Sequence, residues 1–273
     1  MILSIEKIFI SILMLLVCLQ VGLAKGKWEE RPDWEKYFSH ANVNGSFLFY
    51  DLQTDKYLGY NLKRAKTGFI PASTFKIPNS LIALELGIVK DAEEILSWDG
   101  VERGIGENRI AEWNRDQSMR EAIRYSTVWF YQELARRAGY QRMQRFINRI
   151  NYGNKDIAGG IDHFWLDGRL RISSEEQIRF LVKLYQNKLP FSRRNIDIVK
   201  DILINEQTNT YVLRAKTGWG IRVSPQIGWW VGYIEREGKV YFFAINIDIV
   251  KVADTEARKA VAKEILRELK VIE

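Results

Sequence analysis

The spacing of apolar residues divides the chain into strand-like ends and a helical middle. Residues 45–50 and 56–60 are rich in aromatic residues and flank a polar turn at Thr54 and Asp55, which predicts a β-hairpin. Strand character returns at residues 211–216, 227–234 and 240–247, where aromatic and β-branched residues are concentrated. Glu237 and Gly238 separate the last two segments and predict a turn between them.

The middle of the chain, from Thr74 to about Ile204, carries apolar residues at helical spacing, as at Ile178, Leu181, Val182 and Tyr185. A last helix is predicted over residues 254–270, with one face formed by Ala257, Val261, Ile265 and Leu269. These elements indicate an α/β protein of the α+β type. Its antiparallel sheet is built from both chain ends, with flanking helices and a helical lobe of about residues 70–204 inserted between them. A functional site is expected in the cleft between the two parts.

Residues 1–24 predict a signal peptide that does not belong to the fold. Lys7 precedes an apolar run from Ile8 to Leu23, and the segment ends at the small residue Ala24, directly before polar sequence. An uncleaved membrane anchor is the alternative, because the apolar run is only slightly shorter than a bilayer span. Cleavage would leave residues 25–273 as one exported domain, periplasmic or secreted, without stable membrane insertion.

Charge and cysteine content argue against several kinds of function. The formal net charge is +7, but basic and acidic residues are interleaved, with no basic run of five or more, so nucleic-acid binding is not indicated. Cys18 is the only cysteine. Its removal with the signal peptide would leave no disulfide and no cysteine-based metal site. No linker-like segment divides residues 25–273, so a single domain is expected. A homodimer remains open.

Histidine is a poor candidate for the catalytic base. The chain contains only His40 and His163, and neither an H-E-x-x-H nor a G-x-S-x-G motif occurs. A zinc peptidase and a Ser-His-Asp hydrolase are therefore both disfavoured. A nucleophilic serine would need a lysine as its base.

The segment Ser73-Thr74-Phe75-Lys76 supplies such a pair and continues into an apolar helical stretch that ends near Gly87. Residues three apart on a helix share a face, so the Lys76 amine can reach the Ser73 hydroxyl. Free backbone N–H groups at the helix start also favour developing negative charge. The alternative is an N-cap serine beside a surface lysine. A chance copy of the pattern lies at residues 4–7, within the predicted signal peptide.

Lys216, Thr217 and Gly218 end the strand-like segment that begins at residue 211. A lysine and a hydroxyl on a strand beside the nucleophile offer positive potential and a donor to an anionic substrate, and the glycine permits close approach. The same motif occurs at residues 66–68, but this copy lies only five residues before Ser73 and no strand pattern leads into it. The later copy is therefore the candidate.

These motifs and a mid-chain serine together are typical of penicillin-interacting serine enzymes. The serine is Ser126, followed by Thr127 and Val128, within residues 120–137, which are predicted to be helical; an ordinary helix serine is the alternative. With their surroundings the motifs resemble the class D β-lactamases, the oxacillinases, over almost all of residues 25–273. The matching segments include residues 71–76, 98–100, 152–154, 160–162, 164–166, 171–173 and 228–232. Trp129 is a departure, because many members have proline there.

The resemblance implies a role for each matching residue. Ser73 would be the nucleophile, Lys76 in carboxylated form the general base, and Ser126 the proton relay. Carbon dioxide would be the only modifier, with no other cofactor and no metal. The remaining assignments are Trp165 holding the modified lysine, Val128 and Leu166 as apolar lining, Lys216, Thr217 and Gly218 on the substrate strand, Trp219 in the oxyanion hole with Ser73, and Arg258 pairing with the substrate carboxylate. For Arg258 the alternative is an exposed helix arginine.

The implied reaction is hydrolysis of the β-lactam amide bond of penicillins through a serine ester, which confers antibiotic resistance. Two alternatives share the motifs: a β-lactam sensor domain that is acylated without turnover, and a cell-wall transpeptidase or carboxypeptidase. The segment 219–227 is short and resembles the corresponding loop of carbapenem-hydrolysing members. We therefore expect slow imipenem turnover. Tyr152, Gly153 and Asn154 are expected to shape the site without reacting.

Overall fold

Strands from both ends of the chain form the central sheet of residues 26–273, the part that the computed structural model describes. They are β1 (Lys27–Glu30), β2 (Gly45–Asp51), β3 (Lys56–Tyr60), β4 (Ile204–Gln207), β5 (Tyr211–Gly220), β6 (Gln226–Arg236) and β7 (Lys239–Ile249). Their order is β1-β3-β2-β7-β6-β5-β4. The predicted hairpin is β2 and β3, and the predicted signal peptide lies outside the described residues.

One edge of the sheet differs from the prediction of a wholly antiparallel sheet. β1 pairs parallel to β3, whereas the other neighbouring strands pair antiparallel. A parallel pair requires a crossover connection. Helix α1 (Glu35–His40) lies in that crossover, between β1 and β2.

Side chains alternate between the two faces of the sheet along each strand. Both faces are covered by other elements, so both sets of side chains are buried. Leu48 and Tyr50 of β2 contact the helices of the middle segment, whereas Phe47 and Phe49 contact the opposite layer, which includes α1 and the last helix. This two-sided burial explains why the central strands read as nearly continuous apolar runs.

The predicted helical middle is present, interrupted by two short ribbons. The ribbons pair Ile95–Leu96 with Gln117–Ser118 and Gly104–Ile105 with Asn108–Arg109. The further helices are α2 (Leu62–Ala65), α3 (Lys76–Glu85), α4 (Met119–Arg124), α5 (Val128–Ala138), α6 (Tyr140–Ile150), α7 (Ser174–Tyr185), α8 (Arg193–Ile202) and α9 (Asp254–Glu268). Among residues 26–273, no helix has the length and apolar character needed to cross a membrane.

The two ends of the described chain meet at Glu268, the last residue of α9. Its carboxylate accepts hydrogen bonds from Trp34 Nε1 at 2.8 Å and from the Tyr37 hydroxyl at 2.5 Å. Arg31 and Lys36 add ion pairs at 2.8 and 3.1 Å. One carboxylate therefore holds the N-terminal segment against the C-terminal helix.

Candidate active site

Ser73 lies on a 3₁₀ turn, Ala72–Phe75, that runs directly into α3. Lys76 is the first residue of α3, and its Nζ donates a hydrogen bond of 2.8 Å to Ser73 Oγ. The contact predicted from the spacing is therefore present. Ala72 has a φ of +48°, an uncommon value for a residue with a side chain. The turn thus places Ser73 in a constrained backbone segment.

Lys76 is completely buried, although lysine normally lies at the surface. Phe75 and Tyr131, both buried, lie close to it, and the Tyr131 ring centre is 5.3 Å from Nζ. Burial lowers the pKa of Lys76 from 10.5 to about 7, because an apolar environment disfavours the charged amine. The amine can therefore be neutral near physiological pH, as a general base requires.

Trp165 packs against the nucleophile turn. Its ring stacks on Phe75 with centroids 5.3 Å apart, and its carbonyl accepts a hydrogen bond of 2.9 Å from the Ala72 amide. The indole Nε1 is buried and has no hydrogen-bond partner among residues 26–273. Since buried polar groups are rarely left unpaired, this donor is suited to an acceptor that joins the site.

Ser126 lies at a break between α4 and α5, so the prediction of one helix over residues 120–137 is wrong there. Its φ is +57°, outside the helical range. Ser126 Oγ accepts a hydrogen bond of 3.0 Å from Lys216 Nζ. Lys216 is also buried, and burial, followed by the nearby charge of Lys76, holds its pKa well below the usual value. The hydroxyl therefore lies beside a second lysine whose charged form is disfavoured.

Gly218 allows β5 to run next to the nucleophile turn. A Cβ at this position would lie 2.9 Å from the carbonyl oxygen of Pro71, closer than real Cβ contacts allow. On its other side the Gly218 carbonyl accepts a hydrogen bond of 2.6 Å from Arg258 Nη1. Arg258 is 8% exposed and lines the cavity, which contradicts the alternative of an exposed helix arginine. Burial lowers its pKa to about 10, so it still carries its charge at neutral pH.

These side chains surround a cavity of about 530 Å³ that opens between the sheet and the helical segment. Nine predicted residues line or border it: Ser73, Ser126, Val128, Leu166, Thr217, Gly218, Trp219 and Arg258, with Lys216 hydrogen-bonded to Ser126. Lys76 and Trp165 are buried behind Ser73. Among the described lining residues there is no carboxylate and no histidine. The described side chain in hydrogen-bond contact with Ser73 Oγ is that of a lysine, Lys76.

Part of the cavity wall was missed by the sequence analysis. It comes mainly from the ribbon region and from the residues after β5, and includes Arg103, Gly104, Ile105, Gly106, Ile110, Trp113, Tyr125, Gln132, Ile221 and Arg222. Strands of two residues are too short to show a period, so no pattern marks the ribbon. The unusual Trp129 was a partial signal: its Nε1 donates a hydrogen bond of 2.5 Å to the carbonyl of Trp113, a wall residue.

Three further expectations can be compared with the structure. The connection expected at residues 219–227 is shorter, because Trp219 and Gly220 belong to β5 and Gln226 begins β6, which leaves residues 221–225. The rejected copy of the lysine motif at residues 66–68 lies outside the cavity lining, and its lysine lies 4.4 Å from the ring centre of Trp28. Tyr152 is buried with its ring edge-on to Phe75, and it does not belong to the described cavity lining, so its expected role in shaping the site stays a prediction.

Comparison with known proteins gives a consistent set of relatives. The family model described as penicillin binding protein transpeptidase domain matches residues 42–269. β-Lactamase OXA-48 of Klebsiella pneumoniae is 46% identical over 246 residues, covering 90% of this chain and 91% of the relative. β-Lactamase OXA-10 of Pseudomonas aeruginosa is 40% identical over 255 residues, covering 92% and 94%.

Solved structures agree with these sequence matches. The class D β-lactamase YbXI from Nostoc superposes with a TM-score of 0.84 at 46% identity, covering 88% of this chain and 99% of that one. FUS-1, also called OXA-85, a class D β-lactamase from Fusobacterium nucleatum subsp. polymorphum, gives a TM-score of 0.85 at 42% identity, covering 90% and 100%.

Proposed function

The chain belongs to the class D β-lactamases, and we propose that it hydrolyses penicillins and related antibiotics through an acyl-enzyme on Ser73, with Lys76 as general base. The observation that carries this assignment is the 2.8 Å contact between Lys76 Nζ and Ser73 Oγ. It lies beside a cavity whose described lining contains no carboxylate or histidine. Hydrolysis of these antibiotics confers resistance on the host cell.

Each step of acylation can be assigned to a side chain or amide that lies next to Ser73 or lines the cavity. The Lys76 side chain accepts the Ser73 proton while Ser73 Oγ attacks the β-lactam carbonyl carbon. The Ser73 and Trp219 amides stabilise the oxyanion, and the geometry that supports this is the close approach of β5 to the nucleophile turn. When the ring C–N bond breaks, Ser126 passes the proton that left Ser73 on to the leaving nitrogen, aided by Lys216, whose Nζ lies 3.0 Å from Ser126 Oγ. The product of this half-reaction is an ester on Ser73.

The substrate carboxylate is assigned to the basic side of the cavity. Arg258 directs one guanidinium nitrogen to the Gly218 carbonyl, and its Nε is buried without a partner among the described residues. A planar guanidinium is well suited to a carboxylate. Thr217 lines the same side and adds a hydroxyl donor. An anion bound here would also favour the charged form of Lys216.

Hydrolysis of the ester requires a base, and we assign it to Lys76 carboxylated by carbon dioxide. The residues fit this group: the Lys76 amine is buried with a lowered pKa, and the Trp165 Nε1 donor is buried and unpaired among residues 26–273. A carbamate on Lys76 would supply a negatively charged base beside Ser73 that can activate water. Trp165 would donate to it, and Phe75 would hold the Trp165 ring in place.

The experiment that tests this function is mixing exported, purified protein with a chromogenic cephalosporin. Many turnovers per molecule support the proposal. One stoichiometric burst would instead indicate a sensor, and slow release with activity on peptides would indicate a transpeptidase or carboxypeptidase.

We also propose export with cleavage near Lys25, supported by the pattern of residues 1–24. Intact mass analysis of the exported protein tests the cleavage.

A further inference from the structure

His163, Asp167 and Arg222 form a connected chain of contacts at the mouth of the cavity, which we call the mouth bridge. His163 Nδ1 lies 2.7 Å from one oxygen of the Asp167 carboxylate. Arg222 Nη1 donates a hydrogen bond of 3.0 Å to the other oxygen. We propose that His163 is a positioning residue that holds Asp167 towards Arg222 and thereby fixes two walls of the active site. This inference rests on the proposed function of that site.

The local backbone leaves His163 little freedom. Gly160 has a φ of +127°, and a Cβ there would lie 2.2 Å from His163 Nε2, so the imidazole occupies the space above this glycine. The His163 carbonyl accepts hydrogen bonds from the amides of Leu166 and Asp167, at 2.8 and 3.2 Å. Main chain and ring therefore act together to set the position of the Asp167 carboxylate.

The mouth bridge joins two segments that carry groups of the proposed mechanism. On one side Asp167 follows Leu166, which lines the cavity, and lies two residues after Trp165. On the other side Arg222 lines the cavity and lies three residues after Trp219, whose amide is assigned to the oxyanion hole. Loss of the mouth bridge should therefore disturb both the Trp165 segment, which contacts the Lys76 region, and the Trp219 amide of the oxyanion hole.

The charges favour an ionised Asp167 that accepts from both partners. Burial alone would raise the pKa of Asp167, but the hydrogen bonds from His163 and Arg222 outweigh it, and the pKa lies below its usual value. Because a carboxylate can only accept, His163 must carry a proton on Nδ1 even when the ring is neutral. The neighbouring pairs Arg136 with Asp162 and Arg169 with Asp156 lie in the same region and satisfy each other.

The kinetic test compares His163→Ala with His163→Asn, whose amide nitrogen can take the place of Nδ1. His163→Ala should lower kcat for a penicillin about three- to tenfold with little change in KM, since the affected groups act mainly in the transition state. His163→Asn should restore most of this loss. In an Asp167→Ala background, His163→Ala should have no further effect. Arg169→Ala, which breaks another exposed pair in the segment, is the matched control and should behave as wild type.

A second readout does not depend on turnover. The chain has two histidines, so nitrogen NMR of the imidazoles gives two sets of signals, assigned with His40→Gln. Neutral His163 should show a protonated Nδ1, and amide exchange at residues 221–224 should accelerate in His163→Ala. Three results would overturn the inference: a proton on Nε2 in place of Nδ1 of the neutral ring, an unchanged kcat in His163→Ala, or the same loss of kcat when His163→Ala is introduced into the Asp167→Ala variant. A wild-type protein that turns over no penicillin would refute the proposed function, while the NMR result would still decide the mouth bridge.

Discussion

The dependence of turnover on carbon dioxide can be worked out from the burial of Lys76. With an ordinary pKa, lysine at pH 7 is neutral in only about 0.04% of molecules. Complete burial lowers the pKa of Lys76 to about 7, so about half of the molecules carry a neutral amine at that pH. Only the neutral amine can react with carbon dioxide. The fold therefore increases the reactive fraction by roughly a thousandfold.

Removing dissolved carbon dioxide should lower steady-state turnover of a penicillin, and added bicarbonate should restore it. The sign of the pH effect follows from the lowered pKa: Lys76 is mostly neutral above pH 7 and mostly protonated below it. The bicarbonate concentration that gives half-maximal activity should therefore rise as the pH falls from 8 to 6. Degassed enzyme should accumulate as acyl-enzyme, because ester hydrolysis has lost its base.

Trp165→Phe sharpens the test, because it keeps a ring to stack on Phe75 and removes the unpaired Nε1 donor. The variant should need about ten times more bicarbonate, the effect of one charge-assisted hydrogen bond worth about 1.5 kcal/mol. Trp98→Phe is the matched control, since it removes an indole donor that bonds to the Val101 carbonyl outside the cavity lining. Full turnover in thoroughly degassed enzyme, with no response to bicarbonate, would refute the assignment of the base.

Four further predictions concern other parts of the molecule. Ser73→Ala should fold but form no penicilloyl adduct in mass spectrometry; a persistent adduct would move the nucleophile, with Ser126 the next candidate. Arg258→Ala should mainly raise KM for carboxylate-bearing substrates, and unchanged kinetics across several of them would contradict its role. Imipenem should be turned over slowly, as the short 221–225 connection suggests, whereas stoichiometric, permanent inactivation would contradict this. Glu268→Gln should lower the free energy of unfolding at pH 7 by about 1–3 kcal/mol in urea titrations. Burial would raise the pKa of Glu268, but the hydrogen bonds to its carboxylate, those from Tyr37 and Trp34 first, outweigh burial and lower the pKa to about 2. The wild-type protein should therefore lose this stability as the pH falls from 4.5 to 2. An equal loss of stability in Glu268→Gln over the same pH range would contradict the account.

Much of the fold could be predicted because each long element leaves a local signal. β5, β6 and β7 are rich in aromatic and β-branched residues over ten or more positions, and Val261 and Ile265 of α9 are fully buried as the helical face predicts. Elements too short to leave such a signal could not be predicted from the sequence. β1 has four residues and the ribbon strands have two each, which is too short to show a pattern, and the partners of β1 and of Ile95–Leu96 are also distant in the sequence.

The break at Ser126 shows how a tertiary contact can overrule a helical pattern. Apolar spacing continues through residues 120–137, but the chain leaves the helix after Arg124. The carbonyl of Tyr125, which a continuous helix would pair with an amide four residues later, accepts a hydrogen bond of 2.9 Å from Trp113 Nε1. A donor twelve residues away is not visible in a local pattern.

The same reasoning explains why the motifs identified residues that meet at the cavity but not the backbone conformations that bring them together. Ala72 and Ser126 both have positive φ, a conformation that costs energy for residues with a side chain and persists only where surrounding contacts hold it. Those contacts are long-range: the Ala72 amide bonds to the Trp165 carbonyl, and Ser126 Oγ bonds to Lys216 Nζ. Each contact joins one motif to another. The geometry around Ser73 therefore depends on the packing of the whole cavity, and loss of the Lys216 side chain should alter the backbone at Ser126 as well as the chemistry.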